Sequence, residues 1–283
     1  YDCMEEKMNN IKAKIITVAT MKGGAGKTTV CFNMAGILAE KYKVLAVDLD
    51  QQCNLSANCG FDIFDKDAAS VADLFDDSNV DPQSIVMLNP IPELQNLDVI
   101  PSTMYLNGTD WKLISVYMRE QLLRNYIEKN AVFFNYYDYI IFDTPPSMGL
   151  CTQNALHISD HIILVTDPDC NSARGADVFL ELWTQAKSMA EDKATHVDAL
   201  ILNNMERTKI SDKTKEFIDS HEVFSQIKLK SIIPHTTRFK ECAEQNKPIQ
   251  LLETKSKREE NSRLNAEMAI RRMIEELFER GIL

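Results

Sequence analysis

The stretch Met21-Lys22-Gly23-Gly24-Ala25-Gly26-Lys27-Thr28-Thr29 constrains the fold of this chain more than any other. Before it, Lys14-Ile15-Ile16-Thr17-Val18-Ala19-Thr20 is apolar and β-branched, as a buried strand requires. After it, the apolar residues of 30–40 recur at helical spacing. Strand, glycine-rich turn, Lys-Thr and helix, in that order, make the context of a phosphate-binding loop. Glycines let the backbone wrap an anion with its N–H groups pointing inward, at the positive end of a helix. In such a loop Lys27 reaches the β- and γ-phosphates of a nucleoside triphosphate, and the Thr28 hydroxyl ligates Mg2+.

The rest of the chain keeps the alternation. Segments 43–50, 97–100, 139–143, 162–166, 197–204 and 231–234 read as strands, and 70–75, 111–130, 149–159, 173–190, 212–220 and 261–280 as helices. The stretch after Pro234 reads as irregular and basic. Strands alternating with helices predict an α/β fold: a doubly wound, mostly parallel sheet flanked by helices, with ligand at the strands' carboxyl ends. With 283 residues, 45% of them apolar, the chain suits one large domain over 14–283, preceded by a polar segment 1–13 expected to be flexible.

Three acids close predicted strands: Asp48 and Asp50 after Val44-Leu45-Ala46-Val47, and Asp143 after Tyr139-Ile140-Ile141-Phe142. Parallel strands carry all three to the phosphate-loop side, where Asp143 suits a Walker B aspartate holding Mg2+. Seven cysteines without a CxxC pair suggest reduced cytosolic thiols, and Cys151 reads as a packing residue. No run of about 18 uncharged apolar residues predicts a membrane-spanning helix, and no secretory signal opens the sequence. The net charge of −11 argues against nucleic acid, but residues 200–263 hold 13 Lys and Arg against 10 Asp and Glu. A local basic patch on an acidic body sets the field at contact.

Lys22-Gly23-Gly24-Ala25-Gly26-Lys27-Thr28-Thr29 resembles the deviant Walker motif of the ParA/Soj/MinD family of ATPases. Val47-Asp48-Leu49-Asp50-Gln51-Gln52-Cys53-Asn54 resembles the family's second motif, with Gln51 in place of the usual proline. Asp143-Thr144-Pro145-Pro146-Ser147 resembles its Walker B and switch segment, and 97–102 and 232–238 resemble further family segments. The resemblance implies ATP and Mg2+ as ligands and a homodimer sandwiching ATP, with Lys22 reaching the partner's nucleotide much as an arginine finger does. It implies that Asp50 orients the attacking water, that Asp48 supports the Mg2+ and phosphate site, and that Asn203 and Pro234 hold the adenine. It also implies non-specific binding of double-stranded DNA through Arg207 and Arg238, to which Lys209, Lys240, Lys255, Lys257 and Arg258 could add. A ParB-type centromere-binding partner would stimulate slow hydrolysis and release the DNA, segregating a plasmid or chromosome in a cytoplasmic, nucleoid-associated cycle.

Other readings stay open at this point. A MinD-like membrane-positioning ATPase needs a basic amphipathic C-terminal helix; the tail 268–280 is amphipathic but carries three glutamates, so no membrane is expected. A P-loop ligase is disfavoured by the match of both acidic motifs, and an iron–sulfur reductase by the absence of a second suitable cysteine. With about thirteen residues before the first strand, an operator-binding helix-turn-helix domain is not expected in this sequence.

Overall fold

The structure is a computed structural model that describes residues 11–113, 116–189, 196–206 and 208–283. Its eight strands are β1 (Lys14–Ala19), β2 (Val44–Asp48), β3 (Met87–Leu88), β4 (Leu97–Ile100), β5 (Tyr139–Asp143), β6 (His161–Thr166), β7 (Val197–Met205) and β8 (Lys228–Pro234). They form one sheet in the order β3-β4-β2-β5-β1-β6-β7-β8. All pairings are parallel except β3 with β4, a two-residue antiparallel edge. The fold is therefore the doubly wound α/β sheet that the alternation predicts.

Helices cover both faces, which is why the central strands are apolar throughout rather than alternating. On one face, Ile16, Val18, Ile141 and Ile163 pack under α1 (Lys27–Leu38) and under Ala266, Ile270, Met273 and Leu277 of the C-terminal helix Lys257–Glu279. On the other, Leu45, Val47, Ile140 and Phe142 meet Tyr126, Phe134 and Ala155, while Ile162, Leu164 and Leu200 meet Phe179 and Trp183. Cys151 is buried in this second layer. The amphipathic tail thus spends its apolar face on the core, and among the described residues no helix is long and apolar enough to cross a membrane.

Register brings the functional edge together. Val18 stands opposite Asp143, and Asp48 opposite Asp143, so the ends of β1, β2 and β5 are neighbours.

Three expectations need correction. The single helix over 111–130 is instead Thr109–Leu113, a short 3-10 turn at Arg119–Gln121 and Leu122–Lys129. Met118 takes a left-handed φ of 52°, which no helix interior accommodates. The stretch after Pro234 is not irregular: Arg238–Gln245 is helical and buries Cys242. The C-terminal helix starts at Lys257, capped by Ser256 accepting from Glu259 N, four residues earlier than its apolar spacing suggests. Arg207 and the first ten residues lie outside the described residues.

Candidate active site

Beyond the ends of β1 and β2 opens a cavity of about 550 Å3 lined by residues 22–29, Asp50, Asn203, Asn204, Pro234 and the helix Arg238–Gln245. Its floor is the glycine loop. Gly24 and Gly26 have φ of +83° and +86°, values that only glycine adopts without strain. A Cβ on Gly26 would also collide with the Asn203 amide, which donates to Ala25 O at 2.8 Å. Loop and β7 are thereby tied together. The first turn of α1 has neither a side-chain cap nor an acidic residue, so its N–H groups and partial positive charge are left to an anion.

Lys27 is 5% exposed, and its Nζ lies 2.6 Å from Asp143 Oδ1 and 3.6 Å from Asp50 Oδ2. Burial works against its charge, but Asp143 and Asp50 outweigh burial and hold its pKa above the ordinary lysine value. Thr28 Oγ1 donates to the other Asp143 oxygen at 2.7 Å. Hydroxyl and carboxylate oxygens at one point are the hard donors that Mg2+ takes, so Thr28 and Asp143 fit that ion. Cys31, fully buried below them, has its thiol pushed well up by burial and by Asp143 and stays protonated.

Asp48 has no exposed surface, and the cavity lining does not include it. Its Oδ1 accepts the Asp50 N–H at 3.0 Å; its Oδ2 accepts the Ser56 N–H at 2.9 Å and the Ser56 hydroxyl at 2.7 Å. Burial and the Asp143 charge push its carboxyl up to about 7 against those donors. Asp50 does face the cavity, with Oδ1 accepting from Gln52 N at 2.9 Å. Burial raises its pKa, opposed by the Gln52 N–H and by Lys27.

Lys22 stands at the rim and is held within its own chain. Its Nζ lies 3.2 Å from Asp167 and 2.8 Å from Asp169, in the loop between β6 and the helix Cys170–Met189. Sequence reasoning missed both aspartates because they lie about 145 residues away, and it missed Ser56. It also missed Phe239 and Lys240 as lining, since their helix was not expected, and with them His235 and Thr236 just before that helix. The spacing of strand-end acids carries no signal for any of these.

The expected DNA contacts scatter in exposure. Lys209, Lys240, Lys255, Lys257 and Arg258 are exposed. Arg238 is not open: its side chain is 15% exposed and bonds Glu241 at 2.5 Å. The C-terminal helix runs antiparallel to β8, since Thr236 meets Ser262 while Arg280 bonds the Lys228 carbonyl. Lys255, Lys257 and Arg258 therefore sit at the cavity end of the sheet.

Comparison with known proteins gives one picture. The family model described as "AAA domain" matches residues 13–197. The sporulation initiation inhibitor protein Soj of Bacillus subtilis is 32% identical over 246 residues, covering 86% of this chain and 93% of Soj. An ATP complex of Cyanothece McdA superposes with a TM-score of 0.78 at 21% identity, covering 95% of this chain and 97% of that one. Cobyrinic acid a,c-diamide synthase of Mycobacterium smegmatis, with ATP analogue and magnesium bound, gives a TM-score of 0.69 at 25% identity, with 80% and 86% covered.

Proposed function

The chain belongs to the ParA/Soj-type P-loop ATPases, and from that premise we propose that it is a DNA-partitioning ATPase whose ATP–Mg2+ state is a DNA-binding dimer. The observation that carries the reading is the set around Asp143: one buried carboxylate holds the loop lysine on one oxygen and the loop threonine on the other, beside Asp50. The triphosphate lies in the glycine loop, against the free N–H groups of α1. Lys27 turns from Asp143 to its β- and γ-oxygens. Thr28 and Asp143 hold Mg2+, which neutralises phosphate charge when bound. Asp50, a carboxylate at the cavity wall, orients the attacking water; Asn203 and Pro234 border the base. Lys22 serves the nucleotide of the second copy.

Assembly explains why nucleotide switches DNA binding. A single weak basic patch gives non-specific affinity near ~10⁻⁴ M. Two such patches held in one rigid dimer add ~10² to 10⁴ in avidity. Hydrolysis, accelerated by a ParB-type partner, separates the dimer and releases the DNA. The exposed Lys240, Lys255, Lys257 and Arg258 are the favoured phosphate contacts, with Lys209 and Arg207 adding charge; the half-buried Arg238 contributes by holding its helix.

The test is binding to unrelated duplex DNA without nucleotide, with ADP and with ATP–Mg2+. We expect binding with ATP alone, falling steeply with salt, retained in Asp50→Ala and weakened at least tenfold in a Lys255→Glu, Lys257→Glu, Arg258→Glu triple variant. Binding indifferent to nucleotide, or absent throughout, overturns the reading.

A further inference from the structure

Ser56 lies in the helix Asn54–Asn58, completely buried, eight residues beyond Asp48. With Asp48 ionised, the hydrogen bonds around the Ser56 hydroxyl run in one direction. Ser102, just after β4, brings a backbone N–H to Ser56 Oγ at 2.7 Å, and an N–H can only donate. The Ser56 proton is thus committed to Asp48 Oδ2, 2.7 Å away, and the Ser56 N–H reaches the same oxygen at 2.9 Å. The second Asp48 oxygen accepts the backbone N–H of Asp50 at 3.0 Å. Asp50 in turn accepts from Gln52 N through its carboxylate and from Cys53 N through its carbonyl, both at 2.9 Å. The result is one line of bonds, Ser102 to Ser56 to Asp48 to Asp50, running from the interior to the cavity wall.

We propose that Ser56 is a positioning residue for hydrolysis, orienting Asp50 through Asp48. This rests on the ATPase reading above. A carboxylate with one oxygen bonded only to a backbone N–H can rotate about its Cβ–Cγ bond; the two donors of Ser56 on the other oxygen stop that rotation. The Asp50 peptide is then locked, and with it the direction of the Asp50 side chain. Without the Ser56 hydroxyl, Ser102 N–H is left buried and unpaired and Asp48 loses its strongest donor. The phosphate loop is untouched, because none of these bonds includes residues 22–29.

That separation makes a sharp test. In Ser56→Ala, we expect kcat for ATP to fall about tenfold, as for a misplaced water-orienting group. The affinity for a non-hydrolysable ATP analogue with Mg2+ should stay within about twofold. The ATP-state dimer should persist correspondingly longer. Ser56→Thr, which restores a hydroxyl, should recover most of the rate. A kcat within twofold of wild type in Ser56→Ala, a parallel loss of binding and turnover, or a Thr variant no better than Ala overturns the proposal. Should Ser56→Ala not fold, Ser56→Cys keeps the side-chain volume with a weak donor and is judged by the same split between kcat and affinity. A wild-type protein that neither binds nor hydrolyses ATP overturns the parent reading instead, before any variant is compared.

Discussion

A carboxylate sealed at the end of β2 beside a second carboxylate is an electrostatic cost that the unfolded chain does not have. Asp48 is fully buried, opposite Asp143 in the sheet register, and is pushed up to about 7 by burial first and by Asp143 second. An unfolded aspartate titrates near ~3.9. Between roughly pH 4 and pH 7 the folded protein therefore keeps a proton that the unfolded chain has released. The stability Asp48 contributes is fully present at the acid end of that window and is lost as pH rises through about 7. Asp48→Asn cannot ionise and removes this loss, whatever constant penalty its amide brings by facing the Asp50 N–H. Melting curves without Mg2+ should show the variant gaining on wild type between pH 5 and pH 8, by about 2 °C or more. A difference that does not change with pH would place the charge elsewhere.

At the scale of elements, the position of α1 decides where the phosphate loop points, and the segment after Arg238–Gln245 decides the position of α1. Ile249 N donates to Asn33 Oδ1 at 2.7 Å, and Pro248 lies so close to Gly36 that a Cβ there would stand 2.7 Å from its ring carbons. In a free helix Gly36→Ala is worth about 1 kcal/mol of added stability. Here the overpacking, about 1–3 kcal/mol, outweighs it. Thermal melting should show a lower Tm for Gly36→Ala; a higher one would mean that Pro248 yields freely. None of this could be read in advance, because Pro248 and Gly36 are distant in sequence. The strands were legible, since a strand buried on both faces must be an unbroken apolar run, as at Tyr139–Asp143. Helix Arg238–Gln245 was not legible: Phe239, Cys242 and Ala243 are too few to show a period against five polar neighbours. Over 111–130 the apolar spacing continues straight through Met118, where the backbone turns, so spacing alone shows one helix where the chain has two. The loop and its acids were legible because each lies next to the strand that delivers it; Ser56, Asp167 and Asp169 reach the site by tertiary contact alone.

At the scale of the whole molecule, one lysine has two possible employers. Lys22 is bound within its own chain to Asp167 and Asp169, and those contacts outweigh burial to raise its pKa, while Lys22 lowers that of Asp169. For Lys22 to serve the nucleotide of a second copy, both contacts must break. The Lys22 side chain is 31% exposed and that of Asp169 44%, so water screens the pair and its worth is about 1 kcal/mol rather than the value a dry site would give. That is small enough for ATP to overcome and large enough to measure, since 1 kcal/mol corresponds to about fivefold in an equilibrium constant. The Asp167→Asn, Asp169→Asn double variant removes the charge while keeping at position 169 an oxygen that can accept from Asn171 N in the first turn of the Cys170–Met189 helix. Two lysines leave their own chains per dimer, so sedimentation with ATP–Mg2+ should find it dimerising at a protein concentration lower by about 25-fold, whereas Lys22→Ala should still bind ATP but lose hydrolysis. If the double variant assembles no more readily than wild type and Lys22→Ala hydrolyses normally, the lysine belongs to its own subunit, and the dimer closes without it.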